Sequence, residues 1–150
     1  MKDIKPKLIR LFKEGYCTPQ IARIARSINE PSATIHYNIK KLESDGAIRT
    51  YKAVFDHRKI GEGFSAFMLV ALSSGEFSDP ERVARNLAKH REIESVDILA
   101  GDWELLLKIR TKDQDAYFDF LKTVISKEQR IENTNSIISL KEIKSAFVMA

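Results

Sequence analysis

Residues 18–54, TPQIARIARSINEPSATIHYNIKKLESDGAIRTYKAV, hold the reading that decides the fold. Thr18 and Pro19 read as an N-cap followed by proline at the first helical position, where its missing N–H costs nothing. Ile21, Ala22, Ile24 and Ala25 carry a short helix to Arg26, and the small Ala22 and Ala25 let another helix approach closely. Residues 27–31 supply a turn. A second helix then runs to Asp45, and Gly46 stops it. The next stretch, 47–55 (AIRTYKAVF), is rich in β-branched and aromatic residues and reads as a strand pair. Short helix, turn, basic helix, glycine stop and strands are the order of a winged helix-turn-helix, which sets its second helix in the major groove of DNA.

The face of that second helix follows from about 100° of rotation per residue. Ile35, Ile39 and Leu42 share one side, while Ala33, Tyr37, Lys40, Lys41 and Ser44 lie opposite, with Thr34 and His36 at the margins. Ser32, Ala33 and Thr34 are thus expected at base edges and Lys40 and Lys41 at phosphates, with Arg49 and Lys52 of the wing near the backbone. The competing reading is an ordinary amphipathic surface helix, and Arg49 and Lys52 read equally well as lone exposed charges. Upstream, residues 3–14 place Ile4, Leu8, Ile9, Leu11 and Phe12 in a helical stripe that needs a partner, ended by Gly15. Downstream, residues 57–63 contain two glycines and read as a connector. The expected organisation is a DNA-binding unit at 1–55, a linker at 56–63 and a second unit at 64–150.

In that second unit, residues 64–73 (FSAFMLVALS) form a continuous apolar run of strand length, as when both faces are covered. Asp79 and Pro80 cap a helix with Val83, Ala84, Leu87 and Ala88 as its buried stripe. Residues 93–100 alternate as a strand, Gly101 and Asp102 read as a hairpin turn, and 103–110 (WELLLKIR) resume as a strand. Asp113 opens a helix whose apolar face draws on Tyr117, Phe118, Phe120, Leu121, Val124 and Ile125, and 131–143 is the last strand. The order β-α-β-β-α-β is ferredoxin-like, an α+β arrangement with helices on one face of the sheet. Phe67, Leu69, Ala71, Leu105 and Leu107 provide apolar residues for both faces, so the uncovered face is expected to bury itself on a second copy.

Composition bounds the alternatives. The longest wholly apolar run, 66–72, is far short of the ~20 residues that span a bilayer. No apolar segment follows the first residues as in a signal peptide, and the single Cys17 excludes an internal disulfide or a thiolate metal set. A soluble, cytoplasmic protein with no membrane partner is expected. Charge is uneven: residues 1–62 hold 13 Lys+Arg against 7 Asp+Glu, while 63–150 hold 12 against 14. A basic front half on an acidic back half fits a polyanion-binding module joined to another unit.

Residues 33–61 closely resemble the Lrp/AsnC (feast/famine) transcription regulators of bacteria and archaea. Ala33-Thr34-Ile35, Ile39, Leu42-Glu43, Gly46-Ala47-Ile48, Tyr51, Ala53 and Asp56 match that family's pattern. One departure is Asn38, where the family usually keeps an arginine, a loss of one cation from the recognition helix. The back half is similar to the family's RAM domain. Gly101-Asp102-Trp103-Glu104 stands at its G-D-aromatic-D turn, Thr134-Asn135-Ser136 at its T-x-T segment, and 138–144 at its closing strand. The resemblance implies dimers that assemble to tetramers or octamers, double-stranded DNA as partner, and an amino-acid effector held between dimers near the turn and the T-x-T segment. Backbone amides there would face the effector's carboxylate and Asp102 its ammonium. Trp103 for the common tyrosine and Glu104 for the second aspartate alter that site's shape, and the turn alone reads simply as a good hairpin.

Catalysis is not expected, nor any cofactor. His36, His57 and His90 are scattered, and no hydrolase, metalloprotease or phosphate-loop motif occurs. An enzymatic alternative is the sirohaem decarboxylases, which resemble this family in both modules and use histidine and arginine around a tetrapyrrole. Here residues 64–73 and 93–110 hold no histidine and only Arg110. An RNA-binding ferredoxin-like module lacks its aromatic pattern. An oligomeric RAM-domain protein with degenerate DNA binding is kept open by Asn38.

Overall fold

The computed structural model describes residues 2–76 and 79–146. The outer ends of the expected units, at residue 1 and at 147–150, lie outside the described residues. A division between Phe55 and Asp56 separates two compact units.

The first unit holds α1 (Lys5–Lys13), α2 (Ile21–Ile28) and α3 (Ser32–Ser44). The Asp3 carboxylate opens α1 by accepting the Lys5 N–H at 3.0 Å. Beyond its end, Gly15 sits at φ +97°, where a Cβ would lie 3.2 Å from the Tyr51 carbonyl oxygen; only glycine fits. The expected Thr18-Pro19 cap does not form. Gln20 is the N-cap of α2 and offers no side-chain bond, so the helix starts two residues later than Pro19 would set it. Asn29 takes the left-handed conformation (φ 55°) that closes α2, with the Glu30 N–H returning to the Ala25 carbonyl at 3.0 Å. Only Ala25 and Ile35 are buried among this unit's described residues, and Leu42, expected in the core stripe, is exposed.

The strand pair expected at 47–55 is absent: these residues form no strand. Their β-like composition carries no Gly, Pro, Asn or Asp to turn the chain back on itself, so a ribbon has no hairpin. The segment instead leaves α3 through an Ile48 N–H to Leu42 carbonyl bond of 3.0 Å.

The second unit begins with a single 3-10 turn, His57–Ile60, in the stretch expected to be a linker; the Asp56 carboxylate accepts the Arg58 N–H at its start. Then come β1 (Phe64–Leu72), α4 (Pro80–Leu87), β2 (Ile93–Ile98), β3 (Leu105–Thr111), α5 (Gln114–Thr123) and β4 (Ile131–Ser139). The four strands form one sheet in the order β2-β3-β1-β4, antiparallel throughout. This is the expected β-α-β-β-α-β topology. Asp79 and Asp113 cap α4 and α5 through the N–H groups of Arg82 and Ala116, at 3.2 and 2.9 Å.

Alternation along the central strands sorts the apolar residues. Ala66, Met68, Val70 and Leu72 of β1 and Leu105, Leu107 and Ile109 of β3 are fully buried against Val83, Leu87, Tyr117 and Phe120. Leu105 and Leu107, expected to help cover both faces, therefore serve the helix side only. The other face carries Phe67, Leu69 and Leu106, with Ile137 of β4 opposite Phe67. It also holds an ionic cluster: Glu94 meets Arg110 at 2.7 Å and Lys108 at 3.3 Å, and Lys108 reaches Glu142 at 2.9 Å. Three boundaries move from their expected places. β2 ends at Ile98, β4 at Ser139, and the two-residue hairpin is a six-residue loop, 99–104, closed by the Leu99 N–H on the Glu104 carbonyl at 2.8 Å. Phe118, expected on the apolar face of α5, is exposed under the Lys122 ammonium, 4.6 Å from its ring centre.

Candidate functional site

α3 presents the first candidate surface. It follows the tight Asn29 turn, and Ile35, on its inner side, is the one buried anchor. Ser32, Ala33, Thr34, His36, Tyr37, Lys40 and Lys41 are all exposed, as are Arg49 and Lys52 beyond the helix. Tyr37 is 67% exposed, far more than an aromatic ring committed to a core. The N-terminal amides of α3 have no side-chain cap, since Pro31 precedes them.

The two lysines differ in what already holds them. Lys40 Nζ is bonded to Glu43 Oε2 at 3.0 Å, while the other oxygen of that carboxylate accepts from the Tyr51 hydroxyl at 3.1 Å. The Lys40 bond first, then the Tyr51 bond, keeps the Glu43 carboxyl below the usual carboxylate range. Burial, then the same bond, pushes the Tyr51 phenol up. Tyr51 stands between Arg49 and Lys52, so this contact brings the basic segment to the C-terminal half of α3. Asn38 donates its side-chain amide to the Thr34 carbonyl at 2.8 Å and stays along its own helix. Glu43 and Tyr51 were absent from the expected site residues. Their signal lay only in matching motif positions eight residues apart, because periodicity does not report a bond from a helix to an irregular segment.

The second candidate surface is the 99–104 loop with 134–136 of β4. Gly101 adopts φ +141°, a conformation side chains rarely take, and Gly101 and Asp102 are exposed. Trp103 is half-buried. Glu104 is structurally committed: its carboxylate accepts the Leu72 N–H at 2.8 Å and its own N–H donates to the Val70 carbonyl at 3.0 Å. β4 divides the three residues of its segment between the faces. Ser136 Oγ lies 2.6 Å from the Tyr117 hydroxyl on the helix side, whereas Asn135 opposes Leu69 on the open side. Thr134 pairs with Val70, which pairs on its other edge with Leu105, next to the loop. Loop and segment thus flank one end of β1, about 10 Å apart across two strand spacings. Asp102 is the loop's exposed carboxylate and Glu104 is not, while Ser136 is exposed with its hydroxyl bonded to Tyr117.

Among the described residues, no helix is long and apolar enough to cross a membrane, and no group of three His, Cys, Asp or Glu could hold a metal ion.

Comparison with known proteins bears on both surfaces. The family profile "Lrp/AsnC ligand binding domain" matches residues 65–149. The HTH-type transcriptional regulator FL11 of Pyrococcus horikoshii is 33% identical over 144 residues, covering 96% of this chain and 92% of that protein. The regulatory protein AsnC of Haemophilus influenzae is 27% identical over 139 residues, covering 93% and 91%. Among solved structures, an AsnC family transcriptional regulator from Agrobacterium tumefaciens shares the fold with a TM-score of 0.76 at 23% identity, over 100% of this chain and 97% of that one. A Neisseria meningitidis transcriptional regulator crystallised as an L-Met complex gives a TM-score of 0.76 at 20% identity, over 100% and 96%.

Proposed function

The chain belongs to the Lrp/AsnC family of transcriptional regulators, and from that premise we propose that it reads double-stranded DNA with α3 and the basic segment after it. Ser32, Ala33 and Thr34 meet base edges, His36 and Tyr37 flank them in the groove, and Lys41, Arg49 and Lys52 meet phosphates. Lys40 joins them once its bond to Glu43 opens. The observation that carries this reading is an exposed helix behind a tight turn with a cationic segment tied beside it. No catalytic step is assigned to the chain, and its place of action is the cytoplasm, where the DNA is.

The protein works as a dimer or a larger assembly of dimers. Two observations support this: the open sheet face keeps Ile137 at 51% exposure beside Phe67, Leu69 and Leu106, and Ile4, just before α1, is exposed together with Leu8, Leu11 and Phe12 of that helix. Paired subunits place two copies of α3 about one helical turn apart and call for a pseudo-palindromic site. A free amino acid is the effector, held between copies near Gly101, Asp102 and Trp103 with Thr134 and Asn135, and the L-Met complex of the Neisseria relative supports that ligand class. Glu104 supports the loop through its bond to the Leu72 amide, and Ser136, exposed beside Asn135, completes the segment. Binding that favours one assembly state over another then shifts DNA affinity.

Selection of duplexes from a random pool, with and without each amino acid, tests the reading. Enrichment of a two-fold symmetric sequence, with salt-sensitive affinity, is the expected result. Equal binding of all duplexes at every salt concentration rejects it.

A further inference from the structure

We propose that Tyr51 is the positioning residue that sets the cations Arg49 and Lys52 against the DNA backbone, through its hydroxyl bond to Glu43 of α3. The proposal rests on the DNA reading above and adds to it a part for a residue that touches no DNA. In a ribbon-type wing a strand ladder holds the basic residues in register with the recognition helix. Here 47–55 has no ladder, so something else must hold it. The structure offers two restraints. Gly15 lets the Tyr51 carbonyl oxygen and the Thr50 Oγ1 lie 3.2 and 3.3 Å from where a Cβ would stand. Tyr51, between the two cations in sequence, then bonds Glu43 through its hydroxyl at 3.1 Å.

Glu43 is well suited to the task. Its second oxygen accepts from Lys40 at 3.0 Å in the free protein, which orients the carboxylate on the helix before DNA is met. Glu43 is ionised at neutral pH as an ordinary carboxylate, and the bonds from Lys40 and then Tyr51 hold it below the usual range, so the phenol donates to a charged acceptor, the stronger kind of hydrogen bond. An anion beside a DNA-binding helix is otherwise a liability, since it repels phosphate. The tether gives this carboxylate a use that offsets that repulsion.

The full-length protein tests this, with a duplex that the wild type selects from a random pool and a scrambled duplex of equal length. Tyr51→Phe removes one oxygen and no charge. It is expected to weaken binding to both duplexes about five-fold and to lower the salt slope by about one to two. In that background Arg49→Ala and Lys52→Ala cost little more, because the cations are already out of place. Glu43→Gln keeps an acceptor of the same shape and shows a smaller version of the same loss of slope. Tyr51→Phe that binds with wild-type affinity and slope overturns the proposal. So does Arg49→Ala costing the same in both backgrounds, and so does Glu43→Gln binding more tightly with a steeper slope, the signature of a carboxylate acting only as a repelling charge. Amide exchange without DNA decides the matter if Tyr51→Phe binds poorly for lack of folding. Faster exchange at 49–52 with α3 protected supports the tether, and equal loss across α3 overturns a positioning role. If the wild type selects no duplex, the DNA reading fails, and unchanged exchange at 49–52 in Tyr51→Phe is what refutes the tether itself.

Discussion

Asn38 spends its side chain on the Thr34 carbonyl, inside the helix that faces DNA. An arginine there reaches outward instead, so Asn38→Arg is expected to steepen the salt dependence of DNA binding by about one phosphate contact. Fluorescence anisotropy over a salt series measures it, and an unchanged slope places Asn38 away from the backbone. The neighbouring lysines give a second comparison. Lys40 must break its bond to Glu43 before it can bind phosphate, whereas Lys41 is exposed and its ammonium makes no such bond among the described residues. Lys41→Ala is therefore expected to weaken binding to every duplex more than Lys40→Ala does. Tyr37→Ala, by contrast, is expected to reduce discrimination between selected and scrambled duplexes. The candidate face of α3 was legible in the sequence because a helical period fixes which residues share a side. Which of its cations is already neutralised was not, since that depends on the rotamer of Glu43.

The sheet and its loops show what a single element contributes. Burial pushes the Glu94 carboxyl up, but the hydrogen bond and charge of Arg110, with Lys108 beyond, bring it below the usual range. A carboxyl depressed in the folded state stabilises above its unfolded range and loses that contribution as pH falls through the folded value. Thermal stability should therefore decline more steeply below about pH 4.3 in the wild type than in Glu94→Gln, as calorimetry across that range would show. At the head of the 99–104 loop, Glu104 closes the end of β1 on the Leu72 amide. Glu104→Ala leaves that N–H without its partner and should cost about 1–3 kcal/mol in chemical denaturation. Strand order and caps could be read from alternation and from Asp79 and Asp113. The loop's true length could not, because Gly101-Asp102 is equally compatible with a two-residue turn and with the six-residue closure seen here.

At the scale of the whole molecule, apolar surface remains that one chain cannot bury. Leu69 and Phe67 lie on the uncovered sheet face, and Leu69→Asp places a charge among Leu106 and the β4 residues opposite. Sedimentation equilibrium should show that variant dissociating at concentrations where the wild type remains assembled, with DNA affinity falling because two linked α3 contacts become one. Assembly that survives Leu69→Asp locates the interface elsewhere. The first unit makes the same demand, as it buries only Ala25 and Ile35 among its described residues. So small a core leaves a helical unit dependent on its neighbours for stability.

Local patterning determined a great deal by itself: three helices then β-α-β-β-α-β, the helix stops at Gly15 and Gly46, the outward face of α3, and the motif matches that name the family. These are short-range properties, set by periodicity, caps and backbone conformation, and a linear string records them directly. Tertiary structure decided the rest. It turned an expected strand pair into an irregular segment held by Tyr51 and Glu43, moved Leu105 and Leu107 to the helix side, committed Glu104 to the Leu72 amide and joined Ser136 to Tyr117. Each of these depends on which distant groups meet in space, and composition and spacing carry no record of that meeting.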